Sequence, residues 1–331
     1  MAEVVLSGLS KAFGKTEALT EVSMVIPDGA FVVLLGPTGA GKTTTLRLIA
    51  GLDAPDAGDI SIDGVSVLAD MPAQRDVAMV FQQYSLYPHL TVRDNLAFPL
   101  RSPILNWPAP AIAARVKEVA ETLRIAHKLD NKAVNLSGGE MQRVSIGRAL
   151  VRNPRIYLMD EPLSSLDAKL RADLRIELKR IHHDLGATFL YVTHDQIEAM
   201  TMATHVGVLD RGRLVQFGTP REIYESPVST YVATRLGQPR INLLPAALFG
   251  PAPAGAAQIG LRPEHIRQGD GARAAVRRVE HLGDQTRLHL RLGGHDLITL
   301  SDVNTKLGPG DHIAIRPENP LWFDASGVRL I

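Results

Sequence analysis

The sequence predicts an α/β domain on a mainly parallel sheet, interrupted by a helical insertion and followed by an all-β unit. Three patterns carry that prediction. Short unbroken apolar runs at residues 31–35, 77–81, 156–159 and 189–192 each end in glycine or a polar residue. Unbroken hydrophobicity marks strands covered on both faces, the habit of a parallel sheet. Helical periodicity fills the intervals, at 42–50, 112–123, 139–151, 168–185 and 195–201. After about residue 236 the texture changes, and residues 286–292 alternate polar with apolar, as a half-exposed antiparallel strand does.

Each apolar run closes on a residue with chemistry to offer: Gly36, Gln82, Asp160 and the pair Thr193-His194. Ligands of open parallel sheets sit at the carboxyl ends of the strands. These residues are therefore candidates for one shared site. The insertion is predicted over roughly 94–154, and its Pro-rich stretch 101–110 breaks regular structure. Residues 250–257, rich in Gly, Pro and Ala, read as a linker or loop. Short alternating strands beyond it predict a small β barrel. Two similar strings, Leu261-Arg262-Pro263-Glu264 and Ile315-Arg316-Pro317-Glu318, mark corresponding strand-to-turn corners or a chance similarity.

A length of 331 residues suits two domains, and 45% hydrophobic with 21% charged residues is an ordinary globular composition. With 36 basic against 35 acidic side chains, the charge balance makes no case for nucleic acid as the partner. Cysteine is absent, which excludes disulfides and thiolate metal sites and suits the cytosol. The start, Met1 to Leu6, has no basic and apolar leader, so no signal peptide is expected. The run 30–35 falls far short of the ~20 apolar residues a membrane span needs. A membrane role must come through a partner.

Gly36-Pro37-Thr38-Gly39-Ala40-Gly41-Lys42-Thr43 matches the phosphate-loop pattern at every fixed position, with Thr44 continuing into a predicted helix. Glycines let backbone N–H groups converge on phosphate oxygens at the positive end of a helix. Lys42 supplies a cation for the terminal phosphates, and Thr43 a hydroxyl for Mg²⁺. Downstream, Asp160-Glu161 closes a second strand. Neighbours on an extended strand point to opposite sides, so one carboxylate can reach the metal while the other addresses a different point, such as the attacking water. Taken alone, the pair also reads as a strand running into a solvated turn. A third string, Leu136-Ser137-Gly138-Gly139-Glu140, places a natural N-cap and two glycines at a helix start, a second phosphate-binding device. Taken singly, this is also what a capped helix without a ligand looks like.

In this order, the motifs resemble those of ABC-transporter ATPase subunits, and the resemblance covers essentially the whole chain. It implies an ABC-type P-loop ATPase domain with a helical subdomain over 1–235, and a C-terminal all-β OB-like regulatory domain over 236–331. Phe13 stands where the family has an adenine-stacking aromatic, usually Tyr; a strand-end core residue is the other reading. Gly36 to Thr43 is the Walker A loop. Gln82 fits the Q-loop as catalytic residue and Mg²⁺ ligand, beside Thr43 and Asp160. Residues Leu136 to Glu140 fit the signature motif, with Glu140 where Gln is commoner. Glu161 matches the catalytic glutamate, His194 the switch histidine and Asp167 the D-loop, in which Ser165 replaces the usual Asn. Singly, Gln82 and His194 also read as solvated strand ends.

The resemblance further implies a homodimer binding two ATP molecules with Mg²⁺, each covered by the signature motif of the other copy. Partners would be two transmembrane permease subunits and, through them, an extracytoplasmic solute-binding protein, with no nucleic acid. The location would be the cytoplasmic face of the cell membrane. Residues 84–92, 160–170, 191–200 and 218–220, with 260–265, look like maltose-type carbohydrate importers. Polyamine, ferric-ion or sulfate importers share this layout, and a soluble ABC ATPase acting on nucleic acid is the alternative from another class.

Overall fold

The computed structural model describes residues 2–103, 105 and 107–330. Outside them lie Met1, where the leader expectation begins, Ile104 and Asn106 of the Pro-rich stretch, and Ile331. The chain divides into two compact units, Met1–Pro220 and Arg221–Ile331.

The first unit opens with a long hairpin, β1 (Val4–Phe13) and β2 (Thr16–Ile26), in which Phe13 pairs with Thr16 across the turn. Strand β3 (Phe31–Leu35) is buried at every residue and runs through the phosphate loop into α1 (Lys42–Ile49). Strands β4 (Ala57–Ile62) and β5 (Val65–Ser66) return to β1, completing an antiparallel sheet of order β2-β1-β4-β5. This sheet is not legible in the sequence pattern. Register shifts in β1 between Leu6, Leu9 and Lys11 break the alternation that would announce it.

There follow β6 (Val77–Val80), three insertion helices α2 (Val92–Ala97), α3 (Ala109–Thr122) and α4 (Gly138–Leu150), and β7 (Ile156–Asp160). Then come α5 (Ala168–Leu185), β8 (Thr188–Thr193), α6 (Gln196–Met202) and the hairpin β9 (His205–Asp210) with β10 (Arg213–Gly218). The central sheet has order β10-β9-β3-β8-β7-β6 and is parallel except at the β9–β10 edge. Buried residues of β3, β7, β8 and α1 share one core with Leu6, Ile26, Ile60 and Ile62 of the antiparallel sheet. Both faces of the parallel strands are thus dry, which is why their sequences read as unbroken apolar runs.

In the insertion, fully buried Asn95 binds the chain ahead of it: its amide donates to the carbonyls of Tyr87 and Thr91 and accepts from the Tyr87 N–H. Gly147 lets α2 approach α4, since a Cβ there would stand 2.6 Å from a Leu96 methyl.

The second unit begins with α7 (Pro220–Glu225) and α8 (Thr230–Arg235). Its strands are β11 (Asn242–Pro245), β12 (Gln258–Leu261), β13 (Ile266–His281), β14 (Thr286–Leu292), β15 (His295–Ser301), β16 (His312–Pro317), β17 (Leu321–Phe323) and β18 (Arg329–Leu330). They form two four-stranded antiparallel sheets, β11-β12-β17-β18 and β15-β14-β13-β16, around Ile259, Leu261, Val276, Leu288, Leu290 and Ile315. Residues 250–257 are a loop inside this unit, before β12.

The two similar strings do both lie at strand ends, side by side: Ile266 pairs with Pro317, and the Glu318 N–H donates to the His265 carbonyl. Their arginines differ in role. Arg316 is exposed and pairs with Asp270, whereas Arg262 is 2% exposed. The Arg262 guanidinium donates to the carbonyls of Tyr224, Ala233 and Leu236 and lies 3.8 Å above the Tyr224 ring. These bonds gather α7 and α8 into the second unit. The unit therefore starts at Arg221, ahead of the boundary at 235 read from sequence texture. Arg262→Ala would strand those carbonyls. It is expected to cost the second unit about 3 kcal/mol, read by urea unfolding followed through Trp322 fluorescence.

Candidate functional site

The phosphate loop is shaped by close backbone approaches. At Gly36 a Cβ would stand 2.6 Å from the Leu209 carbonyl oxygen, and Gly41, at φ 101°, has no room for one beside Ala18. Gly41 also opens α1 without a side-chain cap, and no acidic residue occupies the first turn. The N–H groups of that turn are left for an anion. Lys42, 5% exposed, folds back over the loop. Its Nζ donates to the carbonyls of Gly36 and Pro37, each at 3.0 Å, and stands 3.5 Å from Glu161 Oε1.

Parallel pairing brings the other strand ends to the same edge. Thr43 Oγ1 donates to Asp160 Oδ1 at 2.9 Å. Asp160 is buried, and burial above all pushes its carboxyl above the usual range, with Glu161 adding to the rise against Thr43, Lys42 and Arg47. A buried carboxylate bonded to a hydroxyl is an all-oxygen donor pair short of positive charge, and it fits a hard cation such as Mg²⁺. Among the described residues no group of three His, Cys, Asp or Glu side chains forms a separate metal site.

Glu161 corrects one expectation. Strand alternation does not separate the two carboxylates, because Glu161 leaves the strand with φ 43°, in the left-handed region. Its N–H donates to the Val192 carbonyl, and its own carbonyl accepts from the N–H and Oγ of Ser164. A non-glycine residue held there costs of order 1 kcal/mol, and such strain gathers at functional sites. The kink delivers Oε2 to His194, whose Nδ1 is 3.0 Å away, and Oε1 to Lys42. His194 is 57% exposed, so one face of this chain of contacts is open.

Other predicted residues stand apart. Gln82 is exposed beyond β6 and has no hydrogen bond to Thr43, Asp160 or Glu161 among the described residues. Phe13 is half exposed at the hairpin end, with Lys11 Nζ 5.4 Å from its ring centroid, so it is not the core residue of the plainer reading. Asp167 caps α5 by accepting from the Leu170 N–H. Leu136 is buried, and Ser137 caps α4 in a full capping box with Glu140. Glu140 also pairs with Lys128 at 3.0 Å, while Gly138 and Gly139 follow Ser137 in the first turn. None of these bonds reaches the phosphate loop of the same chain.

One link between motifs leaves no trace in the sequence. The Tyr84 hydroxyl is 3.2 Å from Ser165 Oγ and 3.2 Å from where a Cβ on Gly138 would sit. No local pattern signals it, because the partners are 81 and 54 positions away.

Comparison with known proteins gives the site its context. Residues 19–164 match the family described as ABC transporter, and residues 259–330 the TOBE domain. The chain is 44% identical to the sn-glycerol-3-phosphate import ATP-binding protein of Rhizobium meliloti, with both chains covered in full. This chain belongs to the ABC transporter family. It is also 45% identical to the trehalose/maltose import ATP-binding protein of Thermococcus litoralis, over 89% of each chain. Among solved structures, this ABC ATPase resembles a dimeric, post-hydrolysis ATP-binding cassette bound to ADP and Pi. The identity is 31% and the TM-score 0.59, over 66% of this chain and 99% of that one. No described helix of the ABC ATPase is long and apolar enough to cross a membrane.

The burial of Asp160 gives a signed expectation. An acid whose pKa is raised on folding contributes stability while protonated and loses it as pH rises through the raised value. Asp160→Asn mimics the protonated form at neutral pH. Differential scanning calorimetry of the nucleotide-free ABC ATPase should show Tm raised by a few degrees, and Mg²⁺-dependent ATP binding should be lost. An unchanged or lower Tm would mean the buried charge is fully compensated.

Proposed function

We propose that the chain is the ATP-hydrolysing subunit of an importer for a sugar or sugar-like solute, working as a dimer beneath two membrane permease subunits. The observation that carries the reading is the contact series Lys42–Glu161–His194 beside the Thr43–Asp160 pair. It sets a cation, a base and a metal-ready carboxylate around one phosphate loop. The names of the relatives, importers of glycerol phosphate and of trehalose or maltose, favour the sugar class over polyamine, ferric ion or sulfate.

In this mechanism the loop Gly36 to Thr43 holds the phosphates of ATP through its N–H groups, with Thr44 behind it and Phe13 under the adenine. Lys42 swings from the Gly36 and Pro37 carbonyls to the β and γ phosphates, which releases Glu161. Glu161 then takes a proton from the attacking water as its oxygen bonds to the γ phosphorus and the bond to the ADP oxygen breaks. His194 holds the γ phosphate and the water in line. Thr43, Asp160 and, through its exposed amide, Gln82 would hold Mg²⁺, which neutralises charge on the β and γ phosphates.

The capped helix start at Ser137 to Glu140 has no role at its own chain's phosphate loop. This supports its use on the nucleotide of a second copy, with Asp167 facing the same interface. Permease docking fits the segment 84–90. There the Tyr87 ring packs at a tilt of 43° against Phe98, with centroids 4.4 Å apart, beside a groove of about 260 Å³ lined by Phe81, Tyr84, Phe98 and Arg148. An apolar, aromatic surface of this kind is what an interface uses. The permease would couple the site to an extracytoplasmic solute-binding protein from the cytoplasmic face of the membrane. The ATPase role is proposed for the cassette read over 1–235 and a regulatory role for 236–331, with α7 and α8, which the fold places in the second unit, going with the latter.

Glu161→Gln is expected to bind ATP as the parent does and to lose turnover by at least about 100-fold, measured as phosphate release. Turnover within a few-fold of the parent would remove Glu161 as the base. Dimers mixing Lys42→Ala chains with Ser137→Arg chains should keep one intact composite site and about half the activity. Cys pairs near Gly39 and Ser137 that crosslink only within one chain would exclude the head-to-tail dimer. Leu86→Asp should leave ATPase activity in solution and abolish transport in reconstituted vesicles.

A further inference from the structure

Residues 221–331 contain twelve arginines and one lysine, so any anion recognised by the second unit meets guanidinium groups. Arg240, Arg277, Arg278 and Arg291, with His289, line a groove of about 630 Å³ in which Asp296 is the one lining carboxylate.

The groove is set by the fold. Strand β14 alternates buried Leu288 and Leu290 with outward His289 and Arg291. In β13 a register shift between Val276 and Arg278 turns two consecutive arginines, Arg277 and Arg278, to the exposed side. Arg240 enters from the segment before β11. That segment is pinned by Asn242, whose amide donates to the Leu261 and Ile298 carbonyls at 3.0 and 2.9 Å and accepts from the Ile298 N–H at 2.7 Å.

The cations are unequally compensated. Arg291 pairs with Asp296 at 3.2 Å, and Arg278 with Glu280 at 2.5 Å, while His289 Nε2 lies 3.3 Å from the same Glu280 oxygen. Arg240 and Arg277 have no ion pair among the described residues. Positive charges gathered with too few carboxylates favour an added anion, and guanidinium forks suit phosphate. The groove is also far larger than inorganic phosphate needs, and Leu243 and Ile298 present half-buried apolar surface in it.

We propose that this groove binds a small organic phosphate, its dianion held by Arg240, Arg277 and Arg291 and its carbon skeleton resting on Leu243 and Ile298. Asp296 stands where it can accept from a hydroxyl of the skeleton. The site is separate from the phosphate loop and needs no catalysis.

Calorimetric titration of the full chain tests this, with the phosphate loop saturated by a non-hydrolysable ATP analogue. The probes are glucose 6-phosphate, glycerol 3-phosphate and inorganic phosphate. At least one ester should bind once per chain, at least about tenfold more tightly than inorganic phosphate, and more weakly as salt rises. Arg277→Gln and Arg240→Gln, both at exposed positions, should each weaken that binding about tenfold, and Asp296→Asn should tighten binding of the phosphate group. Equal affinity for inorganic phosphate would overturn the organic ligand. No binding of either ester, or binding untouched by both arginine substitutions, would overturn the site.

Discussion

Leu35 lies beside Thr193 and Val192 beside Asp160 in a sheet whose central strands all run the same way. That register brings a phosphate loop, a buried carboxylate and a histidine from distant parts of the chain to one edge. The rest of the site depends on it. The strands can run parallel because helices and the antiparallel sheet cover them, and the packed, dry core fixes where their ends lie. Binding and chemistry at such an edge need residues that the surrounding fold already holds in place.

Within that frame the chain's own groups contact one another. Lys42 is bound by two carbonyls and a carboxylate, Glu161 by Lys42 and His194, and Asp160 by Thr43. In the proposed mechanism a triphosphate entering the loop would compete for Lys42 and leave Glu161 facing the histidine. The strained φ of Glu161 matters here because it points both carboxylate oxygens at partners on different elements. Strain of this size is tolerated only where the surroundings over-determine it, and the Val192 and Ser164 hydrogen bonds do so.

The second helix start has a different logic. Its capping box and the Glu140–Lys128 pair keep Ser137 oriented without a ligand, and Tyr84 ties the same region to Ser165. The segment before α2 and the turn before α5 are therefore joined at one hydroxyl, close to the start of α4. The second unit shows a parallel economy: buried Arg262 gathers its helices, while most exposed arginines of the strands pair with carboxylates such as Glu280, Asp296 and Asp270.

The sequence by itself determined the α/β class, the phosphate loop, the four chemical strand ends and the all-β second unit. Each is encoded locally, in glycine spacing, unbroken apolar runs or alternation. Residues 286–292 and 168–185 fall on β14 and α5 without displacement, because one period runs through each from end to end. Only the tertiary structure decided the rest. The N-terminal sheet was illegible because register shifts scramble its alternation. The start of the second unit at Arg221 depends on Arg262 reaching helices some thirty residues earlier, and the Tyr84–Ser165 bond spans 81 positions. The separation of Asp160 from Glu161 turned on a backbone angle imposed by neighbouring strands. Contacts between residues far apart in sequence leave no periodicity in it, and packing alone selects them.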